Sequence, residues 1–296
     1  MTIAHFIAMV AAFALIFAGG AAGQTKDSAW PATAPPKLAL LVYQRFQLDK
    51  MAAGGKALAA AARACANLEA PNSWIVMDSV TGEPESLSFD PFDSFAHIDK
   101  AYAQWGPIYA AHPGLGKAQA EIIGALASQR TIVAVRREDL SYRANRIDLS
   151  KARFMRVLEV RLHPGREGDF AEAFQKLSAA YEKTNSDLSW VVYQVNVGMP
   201  SPAFFAFVPM KSLAQNDDLL NLRDRLHEAE GEAAERMQQI AREAYASTES
   251  NLYAIIPEKS HVSKEFAAGD PEFWTPIPRA PTKAAVRKSG KSKPKP

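Results

Sequence analysis

Ser73-Trp74-Ile75-Val76 returns 116 positions later as Ser189-Trp190-Val191-Val192. The same offset carries Gly82 onto Gly198, Pro84 onto Pro200 and Phe89 onto Phe205. Upstream it carries Leu41, Arg45 and Phe46 onto Val157, Arg161 and Leu162. One offset held over about fifty residues implies one structural unit used twice. The chain then divides into an N-terminal segment 1–23, a Pro-rich linker 24–36, a first unit 37–140, a second unit 152–258 and a basic tail 265–296.

The ends carry their own signals. Ile3 to Phe17 is an apolar run broken only by His5, followed by small residues from Ala18 to Gly23. A membrane span needs about 20 apolar residues, so the run suits a signal-peptide core better, with an uncleaved anchor as the alternative. The expectation is an exported protein, periplasmic or extracellular. Cys65 is the only cysteine, which excludes an intramolecular disulfide and leaves cohesion to apolar cores. At 48% hydrophobic residues those cores can form. From Arg279 onward the chain carries Arg279, Lys283, Arg287, Lys288, Lys291, Lys293 and Lys295 and no acid. Such a tail is expected to be disordered and to touch an anionic envelope surface, or simply to be solvated. The folded part gives no reason to expect a nucleic-acid partner.

Each unit reads strand, helix, strand, strand, helix, strand. In the first, strands are expected at Lys37–Phe46, Ser73–Val80, Glu85–Phe89 and Thr131–Val135. The Ala-rich stretch Leu48–Leu68 is one helix. Phe95–Gln129 is helical with interruptions at Gly106-Pro107 and His112-Pro113-Gly114. In the second, strands are expected at Phe154–Leu162, Leu188–Val197, Ala203–Val208 and Leu252–Ile256, with helices at Arg166–Asn185 and Asn216–Ser247. Arg136–Lys151 joins the units. The βαββαβ order predicts an α+β fold of two tandem ferredoxin-like units, each with its helices on one sheet face. The bare apolar face must be covered, and the matching face of the other unit is the nearest cover.

The run Arg156-Val157-Leu158-Glu159-Val160-Arg161-Leu162-His163-Pro164-Gly165-Arg166-Glu167-Gly168-Asp169-Phe170 resembles the opening of dimeric α/β-barrel domains of the NIPSNAP and antibiotic-biosynthesis-monooxygenase types. In those a first strand passes through a Pro-Gly turn into a helix with an early Phe. In the first unit Phe46-Gln47-Leu48-Asp49-Lys50 stands in place of that turn, so the likeness there rests on the repeat. The resemblance implies a tandem fusion packed sheet-to-sheet as an intramolecular dimeric α/β-barrel. It also implies a choice among cofactor-free monooxygenases, haem-binding or haem-degrading enzymes and members without known activity, which fold analogy does not make.

Period-two alternation sorts each strand into two faces. It assigns Tyr43 and Arg45 in one unit, and Glu159 and Arg161 in the other, to the space between the sheets. In the second strands it assigns Trp74, Val76 and Asp78, and Trp190, Val192, Gln194 and Asn196, to the same space. The candidate ligand-binding set is therefore Tyr43, Arg45, Trp74, Asp78, Glu159, Arg161, Trp190, Gln194 and Asn196. Arginines suit an anionic group and tryptophans a flat one. The alternative use is structural: the arginines pair with Asp78 and Glu159 while the tryptophans fill the barrel. No His-Glu-x-x-His, Cys-x-x-Cys or Gly-x-Ser-x-Gly is present, and Gly114-Leu115-Gly116-Lys117 lacks the Ser or Thr of a phosphate loop. No metal, cofactor or catalytic set is expected; His97 is the one candidate for an axial haem ligand. The expected function is binding of a small planar or aromatic molecule, or an interaction module, with further dimerisation open.

Overall fold

The computed structural model describes residues 35–66, 68–183, 187–217, 220 and 231–275, with backbone alone at 231–234. The expected export segment, most of the linker, the middle of the expected helix Asn216–Ser247 and the basic tail past 275 lie outside the described residues.

The first half of the chain runs β1 (Leu38–Phe46), α1 (Met51–Cys65), β2 (Ile75–Ser79), β3 (Ser86–Phe92), α2 (Phe95–Ala111), α3 (Pro113–Ala125) and β4 (Leu126–Tyr142). The second runs β5 (Phe154–Leu162), α4 (Glu167–Glu182), β6 (Trp190–Val197), β7 (Ala203–Met210), α5 (Gly231–Ala244) and β8 (Tyr245–Ile255). Two short helices follow, α6 (Lys264–Ala267) and α7 (Pro271–Trp274). The strands close one antiparallel barrel in the order β1-β3-β2-β8-β5-β7-β6-β4. Around it, β4-β1-β3-β2 is followed by β8-β5-β7-β6, so both halves have the same strand order.

Two strands are much longer than expected. β4 pairs with β1 from Leu126 to Val135 and then with β6 as far as Tyr142. β8 pairs with β5 from Tyr245 and meets β2 only at Tyr253–Ile255. Each therefore crosses a seam between the halves, and β4 takes up much of the expected connector 136–151. Their outlying stretches, Ala127–Thr131 and Ala246–Ser250, are exposed and polar, which removes the alternation that marks a strand. For the same reason the expected last helix stops at Ala244 rather than Ser247. α2 also differs: it runs through Pro107 without a break and ends at Ala111, where non-helical His112 precedes Pro113 in the first turn of α3.

All eight strands contribute to the interior, among them Leu41, Met77, Leu87, Ile132, Val157, Tyr193, Phe205 and Tyr253. This is the largest of the buried clusters. The helices cover the outside. Phe170, Phe174 and Tyr181 of α4 pack on Trp190, Val192 and Phe204, with Phe170 stacked on Phe204 at 4.3 Å. On the first half Ile98 and Ala101 of α2 pack on Leu38, Leu40 and Phe92. The turn glycines obey the repeat as well. Gly82 and Gly198 both have positive φ, and a Cβ on Gly198 would lie 2.2 Å from the Thr131 carbonyl oxygen. Only glycine satisfies both the dihedral and the close approach.

The chain beyond 265 is not a tail at its start. Phe266 and Trp274 are buried against the barrel interior, and the Trp274 indole donates to the Ser150 carbonyl at 2.7 Å. Arg153 pairs with Asp270 at 2.5 Å and lies over the Phe273 ring. Three aromatic anchors within nine residues outweigh the local polar composition. Across the same end of the barrel, Pro36 of the linker accepts a hydrogen bond from the Tyr193 phenol at 3.0 Å.

Candidate functional site

The barrel interior is filled. At the end closed by Pro35 and Pro36, an apolar void among Met77, Phe89, Tyr193 and Phe207 measures about 20 Å³. At the opposite mouth a void of about 20 Å³ lies among Tyr43, Arg45, Glu85, Arg130, Glu159 and Tyr253. Each holds about one water molecule, not an aromatic ligand.

Of the nine expected site residues, Tyr43, Arg45 and Glu159 meet at that second mouth. Arg161 follows Glu159 on the same strand face, opposite Ala203 and Ser247. Charges there satisfy one another. Arg45 pairs with Glu83 and donates to Glu85 at 3.0 Å, Tyr253 donates to Glu85 at 2.7 Å, and Arg130 reaches Glu159 at 3.3 Å. The Arg130 guanidinium also lies over the Tyr43 ring at 4.9 Å. Burial raises the Glu159 carboxyl, with Arg130 working against it, and burial holds the Tyr43 and Tyr253 phenols well above their usual range. Arg45 does pair with acids, but with Glu83 and Glu85 rather than Asp78, and Glu159 takes Arg130 instead of Arg161.

The other five lie on the outer face, contrary to the sequence expectation. Antiparallel partners share a face, and the register sets Val191 and Tyr193 opposite the interior residues Phe207 and Phe205, and Ile75 and Met77 opposite Phe89 and Leu87. Their neighbours therefore point out. Trp190 packs under α4 and donates to the Leu140 carbonyl at 3.0 Å. Gln194 accepts from Arg137 at 2.7 Å, and Asn196 is exposed. Asp78 accepts from Ser86 at 2.7 Å and from Lys259 at 2.5 Å.

Trp74 leads to a cluster that the sequence reading missed. Its indole donates to the Lys259 carbonyl, and its ring lies 6.2 Å from Trp105 of α2 and 5.0 Å from His261. Trp105 donates to the Asn72 side-chain oxygen at 2.9 Å. The Asn72 amide nitrogen in turn approaches Asp90 at 3.3 Å, and Ser88 donates to the other Asp90 oxygen at 2.5 Å. Asp90 thus sits on the outer face of β3 beneath α2, enclosed at its oxygens while part of the residue stays open to solvent. Burial pushes its carboxyl up to about 7, against the two hydrogen bonds that lower it. α2 is a loose cover: of its 17 residues only Ile98 and Ala101 are buried, and Phe95 and Tyr102 are 50% and 57% exposed.

The repeat shows how unusual this strip is. At the shared offset Ser88 and Asp90 correspond to Phe204 and Ala206, which pack apolar under α4. The signal was present in the sequence but lay beyond the expected end of β3 at Phe89. β3 continues through Pro91, which is tolerated because the pairing with β2 has already ended at Ile75–Phe89, so no ladder bond is lost on that side.

Asp90 contributes stability that falls as pH rises. An exposed Asp loses its proton near pH 4, whereas the folded chain keeps it until about 7. Stability present at low pH is therefore lost as pH rises through that window. Asp90→Asn is expected to match the wild-type Tm in acid and to exceed it increasingly toward the alkaline side, measured by thermal denaturation across pH.

The residues do not fit haem. The His97 ring packs edge-on against Phe92 at 5.1 Å and the His261 ring lies against Trp74, so neither imidazole points into the barrel voids. Among the described residues no three His, Cys, Asp or Glu side chains converge to hold a metal ion.

No family model matches the sequence, and no curated protein matches it. Solved structures do. An anthrone oxidase-like protein aligns over 76% of this chain and 93% of its own, with 14% identity and a TM-score of 0.50. A protein of Fusobacterium nucleatum provisionally described as a monooxygenase aligns over 74% and 93%, at 11% identity and a TM-score of 0.48. A chlorite dismutase variant from Candidatus Nitrospira defluvii aligns over 78% and 94%, at 11% identity and 0.45. The likeness is one of fold: an α+β chain whose eight antiparallel strands close a barrel, the architecture of dimeric α/β-barrel proteins.

Proposed function

We propose that the chain is a tandem fusion of two ferredoxin-like units, and that it binds a small planar molecule in the recess between α2 and the outer face of β3. The observation that carries this is the exchange of an apolar pair, Phe204 and Ala206, for Ser88 and Asp90 beneath a helix that buries little of itself. Polar groups under a helix must be hydrogen-bonded to be tolerated, and here a network through Asn72 and Trp105 holds them in fixed positions. Trp74, Trp105 and Tyr102 supply flat walls, and Asn72, Ser88 and Asp90 supply the few fixed polar contacts that orient a ligand. Quinoline is the probe that tests it. Titrated into the folded protein, it is expected to quench tryptophan emission saturably, and Trp105→Ala is expected to weaken that binding at least severalfold. Quenching that survives Trp105→Ala unchanged rules the recess out.

A second reading places a cofactor-free oxygenase at the same recess. A half-buried carboxyl that titrates near 7 is suited to take a proton from a bound substrate at neutral pH. Oxygen uptake with a quinol substrate, abolished by Asp90→Asn, tests it. We also hold to export through residues 1–23 and to contact of the basic tail with anionic surfaces. Mass spectrometry of the protein from its host and vesicle binding by a chain lacking the tail test these.

A further inference from the structure

We infer that the recess beneath α2 is built for an organic cation, an aromatic or alkylated ammonium whose charge rests on the Asp90 carboxylate near the Trp74 and Trp105 rings. This rests on the reading that a planar ligand docks there. It adds the charge of that ligand, which the flat walls alone leave open.

Asp90 differs from three other described aspartates that make side-chain contacts. Asp78 pairs with Lys259, Asp139 with Arg137 and Asp270 with Arg153. Asp90 accepts only from the neutral donors Ser88 and Asn72, and among the described residues no Lys or Arg pairs with it. A half-buried carboxylate of this sort has hydrogen bonds but no counter-charge, and the protein supplies none. The geometry around it is fixed. Because Trp105 occupies the Asn72 oxygen, the amide must turn its nitrogen toward Asp90. The two indoles lie 6.2 Å apart and inclined at 52°, and Trp105 is tied to the carboxylate through Asn72. Ring faces attract cations, most strongly where water is partly excluded. The corresponding site in the second half shows that the fold does not need the charge, since Ala206 stands there.

Binding a fixed cation favours the ionised carboxylate, so near neutrality it must expel a proton from the fraction of molecules that hold one. Other titrating groups face this place. The Tyr102 phenol on α2 is raised by burial and by Asp90 itself; His261, behind Trp74, is held below its usual range by burial. β1 presents only Leu40 opposite Asp90. Asp90→Asn removes the carboxylate and leaves the other two in place.

Calorimetry with N-methylquinolinium and its neutral isostere quinoline decides the matter. On the alkaline side of neutrality the cation is expected to bind about tenfold more tightly, the order of a partly desolvated cation–ring and carboxylate contact. That advantage should vanish in Asp90→Asn and shrink as the pH falls below neutrality. Titrations in two buffers of different ionisation heat should show proton release for the cation alone. Equal affinity for both probes without proton release overturns the inference and leaves the planar-ligand reading standing. Binding of neither probe to the folded wild type overturns both.

Discussion

A chain ended after His261 is expected to lose roughly 3–6 kcal/mol of stability, the burial of one Phe and one Trp side chain. Phe266 and Trp274 cover the barrel end, and the Trp274–Ser150 hydrogen bond and the Arg153–Asp270 pair go with them. Against a typical total of about 5–15 kcal/mol, such a loss is large. It should appear as a fall in the urea midpoint, with the barrel interior newly accessible to an apolar dye. An unchanged midpoint would mean that the strap lies on the barrel without sealing it.

The second large effect lies inside. Phe205→Ala is expected to cost about 3–5 kcal/mol, because the ring is wholly buried where strands of both halves meet and the surrounding side chains cannot collapse into the gap. Tyr43 and Phe207 lie within 6.3 Å of it. Asn196→Ala, one strand away but exposed, is expected to stay within about 0.5 kcal/mol. Denaturant melts of the two variants side by side test whether the sheet faces are assigned correctly. A mild Phe205→Ala and a severe Asn196→Ala would reverse them.

These faces mark the limit of what the sequence makes legible. In β1 and β5 the alternation reads correctly: Tyr43 and Glu159 point toward the barrel axis, as their strand patterns predict. In β6 it does not, because Trp190, Val191, Val192 and Tyr193 are all buried, two toward α4 and two toward the interior. A strand covered on both sides has no polar face to set its phase, and a slip of one residue exchanges every side chain. Alternation in the wrong phase put Gln194 and Asn196 in the cavity; they lie on the outer face, where the strand runs out toward the rim. The element order and the repeat, by contrast, depend on composition and spacing over long stretches. Both survive local misreadings, which is why the barrel could be anticipated while its contents could not. The cluster at Asp90 was not legible because Asp90 lies past the expected end of β3 and meets Asn72 and Trp105 only through the fold.

Hydrogen exchange of the full chain with and without saturating N-methylquinolinium tests the central claim most directly. The account predicts that α2 exchanges faster than the barrel strands, and that the ligand slows exchange in α2 and around Asn72, Ser88 and Asp90. Protection confined instead to the charged mouth around Tyr43 and Glu159, or to the strands lining the interior, would contradict it.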